Sequence, residues 1–128
     1  MSYMPPAKSD IHVTPDVVFD KIETIWGYQK YQLFDPCPLN PQWDGLNIEW
    51  KKINYINPPY TLLKEFVSKA ISESDRGGIS IMLLPSKTDQ KWFHLLYGKY
   101  EIHFIQGRLK FKNNQYHATQ PHFLVLIK

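Results

Sequence analysis

The order of apolar and polar runs predicts an α/β domain of three layers around a mixed sheet. Three observations carry this. Segments with helical and with strand-like periodicity alternate as far as residue 97. The strand-like runs at 31–34, 53–56 and 79–84 each end next to a proline, at Asp35-Pro36, Asn57-Pro58 and Pro85. Beyond residue 100 the remaining runs follow one another with no helix between them, which suits antiparallel pairing.

Residues 1–13 read as an extended tail and 14–128 as a single minimal domain. At the junction, Thr14-Pro15-Asp16 is a helix start: Thr caps, Pro suits the first helical position and Asp complements the dipole. The spacing of Val18, Phe19, Ile22, Ile25 and Trp26 predicts a helix over 15–25 with one buried face. Short strands are expected at 31–34 and 53–56. A helix over 61–74 follows, with Leu62, Phe66, Val67, Ala70 and Ile71 on one side and Gly77-Gly78 closing it. The run 79–84 is almost wholly apolar, the pattern of a central strand covered on both faces. A short helix over 89–97, strands at 101–105 and 108–111 about a Gln106-Gly107 turn, and a last strand at 123–127 complete the order.

Composition limits the function classes. The 128 residues include nineteen aromatics, far more burial than a disordered chain carries. A domain of this size buries roughly two-thirds of its unfolded surface and needs no disulfide framework. Cys37 is the single cysteine, which excludes an internal disulfide and a multi-cysteine zinc site and predicts a reducing, cytoplasmic setting. Residues 1–10 carry no apolar stretch, so neither a signal peptide nor a membrane span is expected. The formal charge of +3 tolerates a polyanionic partner without requiring one.

In open α/β sheets ligands bind beyond the carboxyl ends of the strands, which makes Asp35, Asn57, Tyr60, Ser86 and Lys87 the first candidates. Asn57-Pro58-Pro59-Tyr60 is the most informative segment. Two prolines stiffen it, the Asn57 side-chain carbonyl and the Pro58 carbonyl offer two acceptors, and a tyrosine ring stands beside them. Two acceptors converging on one amino group hold both N–H bonds and leave the nitrogen lone pair free to attack. Such an arrangement suits alkylation of an exocyclic or amide NH2, whose lone pair is otherwise delocalised, and it needs no metal.

Asn57-Pro58-Pro59-Tyr60 is similar to the NPPY signature of S-adenosylmethionine-dependent amino-methyltransferases. Neighbouring segments narrow the resemblance to the phage-type DNA N-6-adenine methyltransferase (Dam-like) family. They run in family order from Thr14-Pro15 through Phe34-Asp35, Asp44-Gly45-Leu46 and Trp50 to the NPPY loop, then Lys69-Ala70, Leu83-Leu84-Pro85, Trp92-Phe93-His94 and Gly107-Arg108-Leu109-Lys110-Phe111. The resemblance spans positions 14 to 127 and implies a truncated Rossmann-like methyltransferase fold. It implies catalytic roles for Asn57, Pro58, Pro59 and Tyr60, with Tyr60 stacking on an adenine turned out of the helix stack. It also implies a donor side made by Asp35, Pro36, Asp44, Thr14 and Pro15: Asp35 toward the ammonium of S-adenosylmethionine, Asp44 toward its adenine, and Thr14-Pro15 closing over it. DNA is the implied partner, a second copy of the chain in a homodimer would extend site recognition, and a viral protein would work in the host cytoplasm.

Three departures from the family pattern define what is particular here. Pro36-Cys37-Pro38-Leu39-Asn40 stands where methyltransferases usually have a glycine-rich turn. Only 21 residues separate Asp35 from Asn57, too few for the strand, helix and strand that normally intervene. The acidic residues between the two motifs are Asp44 and Glu49 alone. The donor site is therefore truncated or rebuilt, and two alternatives stand beside adenine methylation. One is methylation of another amino group, cytosine N4 or a glutamine amide. The other is a decayed methyltransferase-fold protein that binds nucleic acid or a protein partner.

Weaker signals complete the reading. Thr14-Pro15 serves equally as a helix start, Asp44-Gly45 as a common turn, and Cys37 as an inert thiol between prolines. The five histidines lack metal-ligand spacing, and no metal is expected. Lys87, Arg108 and Lys110 are the candidate nucleic-acid contacts within a basic second half, where a solvated charged face is the plain alternative.

Overall fold

The computed structural model describes residues 12–39 and 41–128. Of the predicted tail, residues 1–11 lie outside the described residues, as does Asn40. Helices α1 (Asp16–Trp26), α2 (Leu63–Asp75) and α3 (Lys91–Leu96) surround four strands, β1 (Ile53–Ile56), β2 (Ile79–Pro85), β3 (Glu101–Phe104) and β4 (His122–Ile127). The sheet order is β1-β2-β4-β3. β1 and β2 are parallel, while β4 runs antiparallel to both of its neighbours, so β1, β2 and β3 share one direction. The mixed sheet and the α/β class expected from the run order are both present.

Strand alternation divides the core into two layers. Met82 and Leu84 of β2 join Phe123, Val125 and Ile127 of β4 beneath α2 and α3, where Phe66, Val67, Trp92 and Phe93 cover them. Ile81, Leu83, Leu124 and Leu126 face the opposite way, under Val18 and Ile22 of α1. Each such side chain contributes roughly 1.5–3 kcal/mol when fully withdrawn from water. β2 is central, as its apolar run predicts, with all but its first residue buried.

Two expected strands are corrected. At 31–34 the chain makes a 3-10 turn, Lys30–Gln32, because the Gln29 N–H donates to Gln32 Oε1 at 2.7 Å and closes a capping box. Only Phe34 pairs, parallel to β1 opposite Asn54: its N–H donates to the Ile53 carbonyl and its carbonyl accepts from Tyr55, both at 2.9 Å. Pro36 then withholds the next amide. At 108–111 no strand forms. Gly107, at φ 80°, turns the chain off β3, and the segment crosses the sheet face with Leu109 and Phe111 buried. The Leu109 carbonyl accepts from the Ala118 N–H and the Phe111 carbonyl from the Asn114 N–H instead of from a ladder, and the next residue, Lys112, donates its N–H to the Val13 carbonyl.

Helix α1 begins differently from the expectation. Pro15, at φ −72° and ψ 152°, occupies the N-cap position, and no side chain caps it. The Thr14 hydroxyl is engaged elsewhere, 2.7 Å from Tyr55 Oη. At the other end Gly27, at φ 80°, donates its N–H to the Glu23 carbonyl. The parallel pairing of β1 and β2 brings residues 57–60 and 86–87 to one edge of the sheet. The pairing of Pro85 with His122 adds the start of antiparallel β4 to that edge.

Candidate active site

The Asn57-Pro58-Pro59-Tyr60 loop leaves β1 with its first three residues buried and Tyr60 half-buried. Pro59 precedes a 3-10 turn, Tyr60–Leu62, closed by the Leu62 N–H on the Pro59 carbonyl at 2.9 Å. The loop is thus held by proline dihedrals and one turn bond as it enters α2. Asn57 is 6% exposed. Its Nδ2 donates to the His12 carbonyl at 2.6 Å and to Thr14 Oγ1 at 3.2 Å.

Tyr60 is oriented by two histidines. Its hydroxyl lies 2.7 Å from His122 Nε2, and its ring centroid lies 4.5 Å from that of His12. His122 is 1% exposed, and burial draws its pKa down to about 4, so the imidazole is neutral near pH 7. The neutral ring presents either a donor or an acceptor to the phenol, according to its tautomer. A hollow of about 270 Å3 opens between His12, Tyr60, Phe111 and residues 114–120.

Asp35 follows the single paired residue Phe34 and so ends an isolated bridge instead of the expected strand. Its Oδ1 accepts the Cys37 N–H at 2.8 Å, yet burial pushes the carboxyl up to about 6. Thr14, Asp35 and Asn57 line one hollow of about 180 Å3, together with Lys30 and Lys112. The structure therefore brings together three residues assigned to opposite sides of the reaction. Pro36 is buried, and its carbonyl accepts the Trp43 Nε1–H at 2.8 Å. Gly45 packs against that same carbonyl so closely that a Cβ there would lie 2.4 Å from it. Asp44 lies outside the hollow: its carboxylate accepts from the Leu46 N–H at 3.0 Å and from Asn47 Nδ2 at 2.8 Å, holding the turn.

Of the candidate nucleic-acid contacts, Lys87 stands beside the loop, with Nζ 5.9 Å from the Tyr60 ring centroid. Lys87 also borders a broad hollow of about 550 Å3 with Tyr60, Lys64 and Lys91. Arg108 and Lys110 are exposed, and the Arg108 guanidinium donates to the Thr119 carbonyl, tying residue 108 to the segment beside Tyr60. Among the described residues no group of three His, Cys, Asp or Glu side chains could hold a metal ion. No helix among them is long and apolar enough to cross a membrane.

Sequence reasoning passed over His12, Tyr55 and His122. No spacing rule links positions 12 or 122 to position 60; the sheet order does. A weak signal exists for His122, a polar residue directly after Pro121 at the head of an otherwise apolar run.

These features define an α/β protein whose rigid acceptor loop and half-buried carboxyl meet at the carboxyl end of parallel pairing, where such folds bind ligands. The chain belongs to the DNA N-6-adenine-methyltransferase (Dam) family, whose model matches residues 1–122. No curated protein and no solved structure matches it. Membership implies DNA as substrate and S-adenosylmethionine as methyl donor.

Proposed function

We propose that this protein is a minimal, truncated Rossmann-like methyltransferase, one domain from residue 14 onward, that methylates the N6 amino group of adenine in DNA. The observation that carries this is the shared hollow: Asn57, from the acceptor loop, and Asp35, from the donor side, line the same space. The single direction shared by β1, β2 and β3 supports the fold assignment. Asn57 Oδ1 and the Pro58 carbonyl take the two N–H bonds of the target amino group. As the nitrogen rehybridises and positive charge builds on it, these two fixed dipoles stabilise the charge. Pro59 holds the loop, and Tyr60, anchored at His122, stacks on the adenine.

The residues of the donor side fit the amino-acid end of S-adenosylmethionine. Asp35 is a half-buried carboxyl with one oxygen beyond the Cys37 bond, suited to an ammonium group, and Lys30 borders the same hollow for a carboxylate, beside Lys112, whose Nζ is paired with Asp16 at 2.7 Å. When bound, S-adenosylmethionine supplies an electrophilic methyl group. Thr14 lines this space; Pro15 and Pro36, next to Thr14 and Asp35 in the chain, are proposed to flank the donor, and Asp44 is the acidic side chain proposed for the donor's adenine from the adjoining turn. Lys87, Arg108 and Lys110 are the proposed contacts to the DNA backbone.

A second reading, a methyltransferase-fold protein that binds nucleic acid or a protein without transfer, is favoured by the short 36–52 connection. Product analysis separates the two. The protein is incubated with methyl-labelled S-adenosylmethionine and unmethylated DNA, and the DNA is digested to nucleosides. Label in N6-methyladenine is the expected result. Label in N4-methylcytosine or in protein reassigns the acceptor, and binding of DNA with no label supports the second reading.

A further inference from the structure

We propose that Thr14 is a positioning residue that sets the orientation of the Asn57 side-chain amide, a role distinct from closing over the donor. The inference rests on the transfer reaction proposed above and deepens it. Asn57 Nδ2 carries two protons, and two acceptors meet them: the His12 carbonyl at 2.6 Å and Thr14 Oγ1 at 3.2 Å. A backbone carbonyl has no proton to give, so only the NH2 end of the amide can face it. Turning the amide by half a rotation would set Oδ1 against the His12 carbonyl, lone pair against lone pair. The acceptor end is thereby directed away from residues 12–14, as required of a group that must accept from a substrate.

Thr14 is held in place by the core. It is 9% exposed, and its Oγ1 lies 2.7 Å from the hydroxyl of Tyr55, which is 2% exposed and belongs to β1. Tyr55 and Asn57 are both fixed by the end of β1, so the hydroxyl of Thr14 bridges two points of one rigid element. A hydroxyl is suited to this place because it gives one proton and accepts others. The alternative use of Thr14, capping α1, is closed off: no side chain caps that helix. A valine of nearly the same volume would leave one buried amide proton and the Tyr55 hydroxyl without their partner.

The test uses the full chain with Thr14→Val, Thr14→Ser and Tyr55→Phe, and two readouts. One is steady-state methyl transfer to unmethylated DNA. The other is the 15N–1H signal pair of the Asn57 side-chain amide, identified by its loss in Asn57→Ala. Thr14→Val is expected to lower kcat by about 10- to 100-fold, with KM for DNA and donor within about threefold, because only the reacting geometry is loosened. Thr14→Ser is expected to restore kcat to within about threefold of wild type. One Asn57 amide proton should shift upfield in the valine variant and hold its position in the serine variant. A folded Thr14→Val with kcat within about twofold of wild type, or with both amide protons unmoved, would overturn the proposal. So would a loss confined to KM for the donor, which assigns Thr14 to donor closure. Where Thr14→Val does not fold, Tyr55→Phe decides by the same two readouts, with a drop in kcat of about 3- to 10-fold expected and an unchanged kcat and amide pair overturning the proposal. A wild-type protein without transfer would instead defeat the proposed activity, and the amide signals would still report whether Thr14 sets the orientation.

Discussion

Replacing Asp35 with asparagine separates what the carboxyl costs the fold from what it does for the site. Removal from water outweighs the Cys37 N–H bond, and the pKa rises from 3.8 to about 6. A carboxyl with a higher pKa in the folded state favours the native state when protonated. That benefit is complete below the unfolded value and is lost as pH rises through about 6. At about 1.4 kcal/mol per tenfold change in proton affinity, the raised pKa costs the native state about 3 kcal/mol at about pH 8, where Asp35 is ionised, but only about 1 kcal/mol at about pH 4.5, where the folded protein keeps the proton that the unfolded chain has mostly lost. The asparagine variant stays neutral and can still accept the Cys37 N–H. Urea unfolding should therefore show Asp35→Asn more stable than wild type by about 2–3 kcal/mol at about pH 8, the margin narrowing by about 2 kcal/mol at about pH 4.5. A margin that does not change with pH would refute the argument. The same variant should lose the thermal stabilisation that S-adenosylhomocysteine gives wild type at about pH 8, because the ammonium partner is gone. A more stable variant with undiminished ligand stabilisation would show that Asp35 faces no ligand cation.

The remaining expectations use other features of the site. His122, drawn down to about 4 by burial, should keep its neutral-ring NMR shifts as pH falls from about 7.5 to about 5. Its folded pKa is lower than its unfolded one, so it contributes stability above about 6.5 that is lost as pH falls through about 4, and a ring that titrates near 6.5 would place it in solvent. Gly45→Ala forces a Cβ to within 2.4 Å of the Pro36 carbonyl, and a drop in stability of about 1–3 kcal/mol by urea unfolding is expected. No drop would mean that the 36–45 contact is slack. Lys87→Ala and Lys110→Ala should each reduce the slope of log binding constant against log salt by about 0.9 on duplex DNA. An unchanged slope removes that lysine from the interface.

What the sequence disclosed depended on how local the cause was. The helices α1 and α2 and the central β2 were legible because each declares its buried face through its own periodicity. The runs at 31–34 and 108–111 have the composition of strands, but strand pairing depends on a neighbour. Gln32 reached back to Gln29, and Gly107 turned the second run across the face of the sheet. Thr14-Pro15 shows the same limit at the site. Its local chemistry is that of a helix start, and only the folded chain brings position 14 to positions 55 and 57. The NPPY loop was legible as a segment, whereas the histidines that orient Tyr60 lie 48 positions before it and 62 after it in the chain. They become neighbours only through the sheet.

The most direct test of the central claim is the rate of labelled methyl transfer from S-adenosylmethionine to unmethylated DNA by wild type and by Asn57→Ala. Loss of an acceptor aimed at developing charge predicts a fall in kcat of about 10^2- to 10^3-fold, with the far-UV circular dichroism and DNA affinity of wild type retained. A folded Asn57→Ala protein that methylates adenine at close to the wild-type rate would contradict the account.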